Sequence, residues 1–185
     1  MTNMKDLPWF ALYVKPRHEK NVALMLQGKG YEAFLPTYRH RVKYNKSFEL
    51  PLFPSYVFCR IELSKRLPVM MTPGVFSIVG NGLEPEPISE CEVQGVRRML
   101  ESGFMPIPWP YVVPGQEVTL ESGPLRGVQG VVVDASNGKW LVVSVNLLRR
   151  SVAVSVEREF LSIKLPSASS AKYRTLQFSG ETSHG

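Results

Sequence analysis

With 185 residues, 44% of them hydrophobic and 21% charged, the chain has the apolar content of one or two small globular domains and is neither disordered nor fibrous as a whole. Twenty-two Lys and Arg against sixteen Asp and Glu give a net charge of +6, and no apolar run approaches the roughly 20 residues that span a bilayer, which excludes a membrane-spanning protein. Two cysteines, Cys59 and Cys91, and three scattered histidines exclude a disulfide framework and a zinc site; with no export signal in the first residues, the expected compartment is a reducing cytoplasm.

Trp9 to Val14 is a continuous apolar and aromatic run that suits a strand covered on both faces, closed by Pro16, which cannot donate to a ladder. A helix is predicted from near His18, where Val22, Met25 and Leu26 recur at helical spacing and Gly28 and Gly30 mark its end. Tyr31 to Leu35 reads as a second strand, stopped by Pro36. A basic hairpin follows. Between Lys15 and Lys46 stand eight Lys or Arg and two Glu, so the whole net charge resides in this stretch. Tyr38, Tyr44 and Phe48 interleave with the bases, which suits either a surface that attracts phosphates and stacks unpaired nucleotides or a solvated hairpin packed on its domain.

Ser55 to Ile61 is a strand with Val57, Cys59 and Ile61 on one face and Tyr56, Phe58 and Arg60 on the other, both partly apolar. The Pro73-Gly74 turn leads into a strand from Val75 to Val79, closed by Gly80-Asn81-Gly82. Ser89 and Glu92 form a capping-box pattern; Val93, Val96 and Leu100 then line one helical face until Gly103. This order of strands and helices predicts an α+β domain, with helices on a mainly antiparallel sheet.

Gly103 to Pro110 holds three prolines in eight residues, which disfavours helix and sheet and reads as a semi-rigid linker. Beyond it the pattern is all-β: Glu117 to Leu120, Gln129 to Asp134, Trp140 to Val145, Val152 to Val156 and Phe160 to Ile163 are five short strands that suit a small barrel. Nine valines between Val131 and Val156 favour strand over helix. They argue mildly against an autoinhibited form in which this segment covers the aromatic patch of the first domain and refolds as helices. The last twenty residues, rich in Ser and poor in aliphatics, are expected to form a disordered tail.

Catalytic signatures are missing. Gly80-Asn81-Gly82 has Pro85 where a dinucleotide loop needs its third glycine, and neither a phosphate loop nor a nucleophile elbow occurs. Glu84, Glu86, Glu90 and Glu92 flank a turn and a helix N-terminus, where the helix dipole favours negative charge without any catalytic role. The chain reads as a binding protein with no enzyme activity and no cofactor.

Three segments, Trp9 to Lys20, Pro51 to Phe58 and Pro73 to Val79, resemble the NGN domain of the NusG family of transcription elongation and antitermination factors. Val113 to Val118, Gly123 to Val132 and Leu141 to Arg150 resemble its KOW domain, an SH3-like barrel. The resemblance implies an NGN domain over residues 8–104, a Pro-rich linker over 105–111, a KOW domain over 112–165 and a tail over 166–185. It further implies a monomer that binds the clamp helices of bacterial RNA polymerase through the NGN domain and suppresses pausing. The KOW domain would recruit a small-subunit ribosomal protein or Rho.

By the same resemblance, Tyr13, Tyr56, Phe58 and Ile78 match polymerase-facing positions. Tyr56 and Phe58, sharing a strand face, suit an exposed aromatic patch. Lys15 and His18 match positions facing non-template DNA; Arg17 beside them and Arg39, Arg41 and Lys43 of the hairpin extend that basic surface toward DNA or nascent RNA. Asn146, Leu147, Leu148 and Arg149 match the loop that contacts the KOW partner, with the two leucines either exposed or filling the barrel. Leu148-Arg149 stands where housekeeping members carry an aromatic followed by glycine, and Lys65-Arg66-Leu67 stands in place of a His-Thr-Thr motif. These departures point to a specialised, RfaH-like antitermination paralog. The alternative is a ribosome-associated RNA-binding KOW protein.

Overall fold

The computed structural model describes residues 6–42, 46–82, 84–113, 117–135, 138–156 and 163–164, with backbone alone at 41, 42, 46, 135, 163 and 164. Strand β1 (Trp9–Val14) lies between β5 (Tyr56–Arg60) and β6 (Val75–Ile78), and β2 (Ala33–Phe34) pairs with the far side of β5. All three pairings are antiparallel. On one face of this sheet Phe10, Leu12 and Val14 join Val57, Cys59 and Ile61, and helix α1 (Glu19–Gly28) covers them with Val22, Ala23 and Leu26. The short α2 (Leu67–Met70), which the sequence pattern did not mark, adds Val69 to the same cluster. Helix α3 (Glu90–Glu101) lies on the opposite face, where Val93, Val96 and Met99 meet Trp9, Ala11 and Phe58. Both faces of β1 are therefore dry from Trp9 to Leu12, and that is why its sequence there is apolar without alternation.

β3 (Thr37–Val42) and β4 (Lys46–Pro51) form the basic hairpin as a separate two-stranded ribbon. The C-terminal sheet runs in the order β12-β8-β9-β10-β11-β7 and comprises β7 (Ile107–Trp109), β8 (Val118–Leu120), β9 (Gln129–Ala135), β10 (Gly138–Val145), β11 (Arg150–Val156) and β12 (Ile163–Lys164). The valine-rich segments are strands, and the predicted α+β domain followed by a small all-β domain is the architecture observed.

Four local expectations change. The strand predicted over 31–35 shrinks to Ala33–Phe34. The Pro-rich linker is not free of sheet structure: Ile107–Trp109 pairs antiparallel with Ser151–Ala153. Proline is tolerated there because β7 is an edge strand among the described residues, with no described neighbour beyond it to receive an N–H. Ser89 is the N-cap of α3 but makes no side-chain capping bond, and the Glu92 carboxylate, which a capping box would turn back to the Ser89 N–H, accepts from Asn146 instead. Phe160 and the tail over 166–185 lie outside the described residues.

The fourth change is the largest. One buried cluster runs without a break from Trp9, Phe53 and Phe58 through Val93 and Val96 to Val128, Leu141 and Val143. The all-β domain packs on α3 and thereby on the first domain, whereas the sequence argued against its covering that domain's aromatic patch. A Cβ on Gly95 would come within 3.2 Å of Val143 Cγ1, so this glycine sets how closely α3 approaches β10. The valines that favour strands also present a flat apolar face, and a strand face buries against a helix as readily as against another strand.

Candidate functional site

The aromatic face of the first sheet changes character along its length. At the β2 end Phe58 is 1% exposed, tilted against Phe34 and edge-on to Phe53 at 5.3 Å. The expected exposed patch thus loses Phe58, because Phe53, α3 and the second domain complete a core above it. At the β6 end the same face opens. Tyr13 is 40% exposed, with its ring 5.8 Å from Tyr56 and 5.5 Å from Phe76. Tyr13 and Tyr56 border an open cleft of about 430 Å³ lined further by Ser77, Ile78, Val79, Gly80, Gly82, Glu84 and Pro85, and Phe76 packs on Tyr13 outside that lining. Three of the four polymerase-facing positions, Tyr13, Tyr56 and Ile78, therefore meet in one cleft. Ile78 also packs toward the α1 face, opposite Leu12.

Phe76, 56% exposed, belongs to this patch although nothing in the sequence pattern marks it. The register of β6 on β1 shifts between Tyr13 and Val14, so that Tyr13 faces Ser77 and Val14 faces Val75. Phe76 is the additional residue of that bulge, which re-aims its ring onto Tyr13. The cleft's floor depends on Gly80, since any Cβ there would collide with the Glu84 carbonyl, and Gly80 forms an antiparallel bridge with Pro85.

The basic residues divide into two groups. Lys15 and Arg17 are exposed and His18 half-buried on the turn from β1 into α1. The Lys15 N–H donates to the Gly74 carbonyl at 2.8 Å, and Arg17 adopts a left-handed φ of 67°. Arg39 is exposed on the hairpin, directly across from Glu49. Arg41 contributes backbone to β3, and Lys43 lies outside the described residues. Tyr38 and His40 stand across from Leu50 and Phe48. Strand alternation thus separates what is interleaved in sequence: the Tyr38, His40, Phe48 and Leu50 positions share one face, and Arg39 and Glu49 the other. Lys29 is consumed structurally, donating to the Pro68 carbonyl and to Thr72 Oγ1 at 2.9 and 2.8 Å.

In the loop assigned to a KOW partner the leucines turn inward, while Asn146 and Arg149 are exposed. Asn146 to Leu148 form a 3-10 turn in which Leu148 is 9% exposed and Leu147 packs on the shared core, so the leucines are not a free exposed pair. Asn146 Nδ2 donates to Glu92 Oε1 at 2.7 Å, across the domain boundary. Arg149 closes the turn at φ 47°, a left-handed position that favours glycine, with its guanidinium 5.1 Å from the Tyr111 ring. On the far side of that turn Arg150 places its guanidinium carbon 5.6 Å from the Tyr56 ring.

Of the buried charged groups, Glu19 accepts the Ser55 N–H at 2.9 Å and Arg60 is ion-paired. Arg60, nearly buried, lies over Trp9 at 4.6 Å, with Nε 3.1 Å from Glu32 and Nη2 2.7 Å from Glu90, and donates to the Leu7 carbonyl. Burial pushes the Glu90 carboxyl up, but hydrogen bonds from Gln94 and Arg60 outweigh it and hold the group below its ordinary value. For Glu92 burial wins over the bonds from Asn146, and its pKa is raised. Burial likewise pushes the Cys59 thiol up to about 12, which leaves it inert within the α1-side core. Among the described residues no cluster of three His, Cys, Asp or Glu is placed to hold a metal ion, and no helix is long and apolar enough to cross a membrane.

A family model described as transcription termination factor NusG matches residues 7–97, the stretch that builds the sheet, the cleft and the first turns of α3. The transcription termination/antitermination protein NusG of Pseudomonas aeruginosa is 27% identical over 166 residues, 80% of this chain and 94% of that protein. Its counterpart from Rickettsia bellii is 28% identical over 123 residues, 65% of this chain and 63% of that protein. A solved structure concerned with domain interaction in Thermotoga maritima NusG shares 19% identity at a TM-score of 0.48, over 82% of this chain and 94% of that one. With the sheet, α1 and the aromatic cleft all inside the matched stretch, the chain belongs to the NusG family.

Proposed function

We propose that the chain is a transcription elongation and antitermination factor that docks the clamp helices of bacterial RNA polymerase on the Tyr13–Tyr56–Ile78 cleft and suppresses pausing. The observation that carries this reading is the convergence of Tyr13, Tyr56 and Ile78 on one open cleft at the end of the aromatic face that the described residues leave uncovered. Exposed aromatic rings rimmed by polar groups are the residue type on which protein interfaces concentrate their binding energy. An amphipathic helix suits such a cleft because its apolar stripe can lie along the rings.

Lys15 and Arg17, exposed on the turn beside β6, are available to non-template DNA or nascent RNA through sequence-independent phosphate contacts. The all-β domain acts as the KOW module, whose Asn146–Arg149 loop recruits a small-subunit ribosomal protein or Rho. That loop is engaged with α3 here, so recruitment requires the two domains to part. The site of action is the cytoplasm, where bacterial polymerase works, and the departures at Leu148-Arg149 and Lys65-Arg66-Leu67 suit an operon-specific paralog.

The test is equilibrium binding of the full chain to bacterial core RNA polymerase. Tyr13→Ala and Tyr56→Ala are each expected to weaken binding by about 10-fold or more, as interface aromatics do. Both variants should keep wild-type circular dichroism. Unchanged affinity in both removes the cleft as the docking site.

A further inference from the structure

We infer that Glu19 is a positioning residue of the cleft: its carboxylate, reaching across from α1, holds the turn before β5 in the form that delivers Tyr56 to the cleft wall. What the cleft binds rests on the polymerase reading above; the turn geometry does not. Phe53 to Tyr56 form a tight turn closed by the Tyr56 N–H, which donates to the Phe53 carbonyl at 3.1 Å. Pro54 fixes φ at about −65° in the second position of the turn, and Ser55 in the third has φ 68°. That is the type II combination, which calls for glycine or asparagine in its third position because other side chains are strained there. A serine keeps this conformation only where its surroundings impose it.

Glu19 supplies that constraint. Its Oε1 accepts the Ser55 N–H at 2.9 Å, and this N–H is the group that distinguishes the two common turn forms: passing from type II to type I rotates the Pro54–Ser55 peptide over and points the N–H away. The rotated form would aim the Pro54 carbonyl at the carboxylate instead, oxygen against oxygen. Glu19 is 7% exposed, and among the described residues no Lys, Arg or His lies within ion-pair distance of it. A first-turn acid that served only the helix dipole could stay in water. Burying a carboxylate without a cation is costly, and what its hydrogen bond secures is the turn.

Both ends of the turn are tied to the aromatic face. Phe53 is buried edge-on to Phe58, and Tyr56 opens β5 opposite Tyr13 and lines the cleft. The Ser55 carbonyl accepts the Val14 N–H at 2.9 Å, one step beyond the Tyr13–Tyr56 pair. With the Pro54–Ser55 peptide locked, Tyr56 enters its strand in one orientation. With that peptide free to rotate, Tyr56 is the cleft residue next to the exchange, and ordering it again on docking subtracts from affinity.

The experiment is a titration of the full chain against bacterial core RNA polymerase. The variants are Glu19→Gln, Glu19→Ala, Tyr56→Ala, Glu19→Ala combined with Ser55→Gly, and Glu19→Ala combined with Tyr56→Ala. Glutamine keeps the acceptor and should bind within about 2-fold of wild type, whereas Glu19→Ala should bind about 3- to 10-fold more weakly. Glycine adopts the type II form unaided, so adding Ser55→Gly should recover most of that loss, which no repair of packing around α1 would do. In the Tyr56→Ala background Glu19→Ala should weaken binding no further. If the wild type binds but Glu19→Ala binds equally well, or its loss is not recovered by Ser55→Gly, the inference fails while the polymerase reading stands. If the wild type does not bind, that reading fails, and nuclear Overhauser contacts in the free proteins decide: a type II turn brings the Pro54 Hα close to the Ser55 amide proton, and a type I turn does not. Loss of that contact in Glu19→Ala together with shifted Tyr56 ring resonances, both restored by Ser55→Gly, upholds the inference. A contact that persists in Glu19→Ala, or Tyr56 resonances that do not move, overturns it.

Discussion

The two faces of the N-terminal sheet are built from neighbouring residues of the same strands, yet they differ in how they end. Beneath α1, the row Phe10, Leu12, Val14 and the row Val57, Cys59, Ile61 are covered completely and contain only groups that need no partner. Beneath α3, the row Trp9, Ala11, Tyr13 starts in a closed core and finishes in solvent. A face closed over its whole length can only stabilise. A face that runs from core to cleft lets rigid packing at one end hold exposed rings in place at the other, and so suits recognition.

The sharpest way to break this comparison is to truncate adjacent residues of β1. Leu12→Ala removes a fully buried side chain from the closed face and should cost about 2–5 kcal/mol in denaturant unfolding. Tyr13→Ala, one residue further on the open face, should cost about 1 kcal/mol or less. Equal costs at the two positions would show that Tyr13 belongs to the core and would remove the distinction between the faces.

A second intervention separates what covers the aromatic face. Gly95→Leu drives a side chain from α3 into Val143 and Val128, where even a Cβ is crowded. Overpacking of this kind costs about 1–3 kcal/mol, and here it can be relieved by letting the domains part. The expected result is a larger radius of gyration in solution scattering with both domains folded, and amide shift changes concentrated on α3, β10 and the Asn146–Leu148 turn. A variant that instead unfolds cooperatively would mean that the second domain is required for the first.

The parts of this arrangement that were legible in sequence are those set by local pattern. The unbroken apolar run of β1 announced a doubly covered strand, and the alternation in Tyr56 to Ile61 divided its residues between the correct two faces. What covers each face was not legible, because Phe58 reads identically whether solvent, Phe53 or a second domain lies above it. Phe76 was invisible for a related reason: a bulge is a register shift between two strands, and neither strand alone records it. Ser89 and Glu92 have the spacing of a capping box, but a long-range partner, Asn146, outcompetes the local bond. The basic hairpin shows the converse, since residues interleaved along a strand are for that reason on opposite faces.

The smallest expected effect concerns that long-range bond. Burial raises the pKa of Glu92 above its ordinary value, so the packed form holds this proton more tightly than the unfolded chain does. The group's contribution is therefore fully present below the ordinary carboxylate pKa and is lost as pH rises through the raised value. Glu90 runs the other way: its lowered pKa contributes stability above the ordinary value, which is lost as pH falls through the lowered one. The wild-type profile mixes both, so the informative quantity is the difference between wild type and Glu92→Gln. Glutamine keeps an acceptor for Asn146 Nδ2 without a charge to desolvate. It should match the wild type at acid pH and gain on it as pH rises toward neutrality, by about 0–1 kcal/mol because Glu92 is only partly shielded from water. Glu92→Ala should show the same pH trend but sit below Glu92→Gln throughout, having lost the acceptor as well. A difference curve that stays flat with pH would place Glu92 in solvent and remove this bond from the contacts that hold the two domains together.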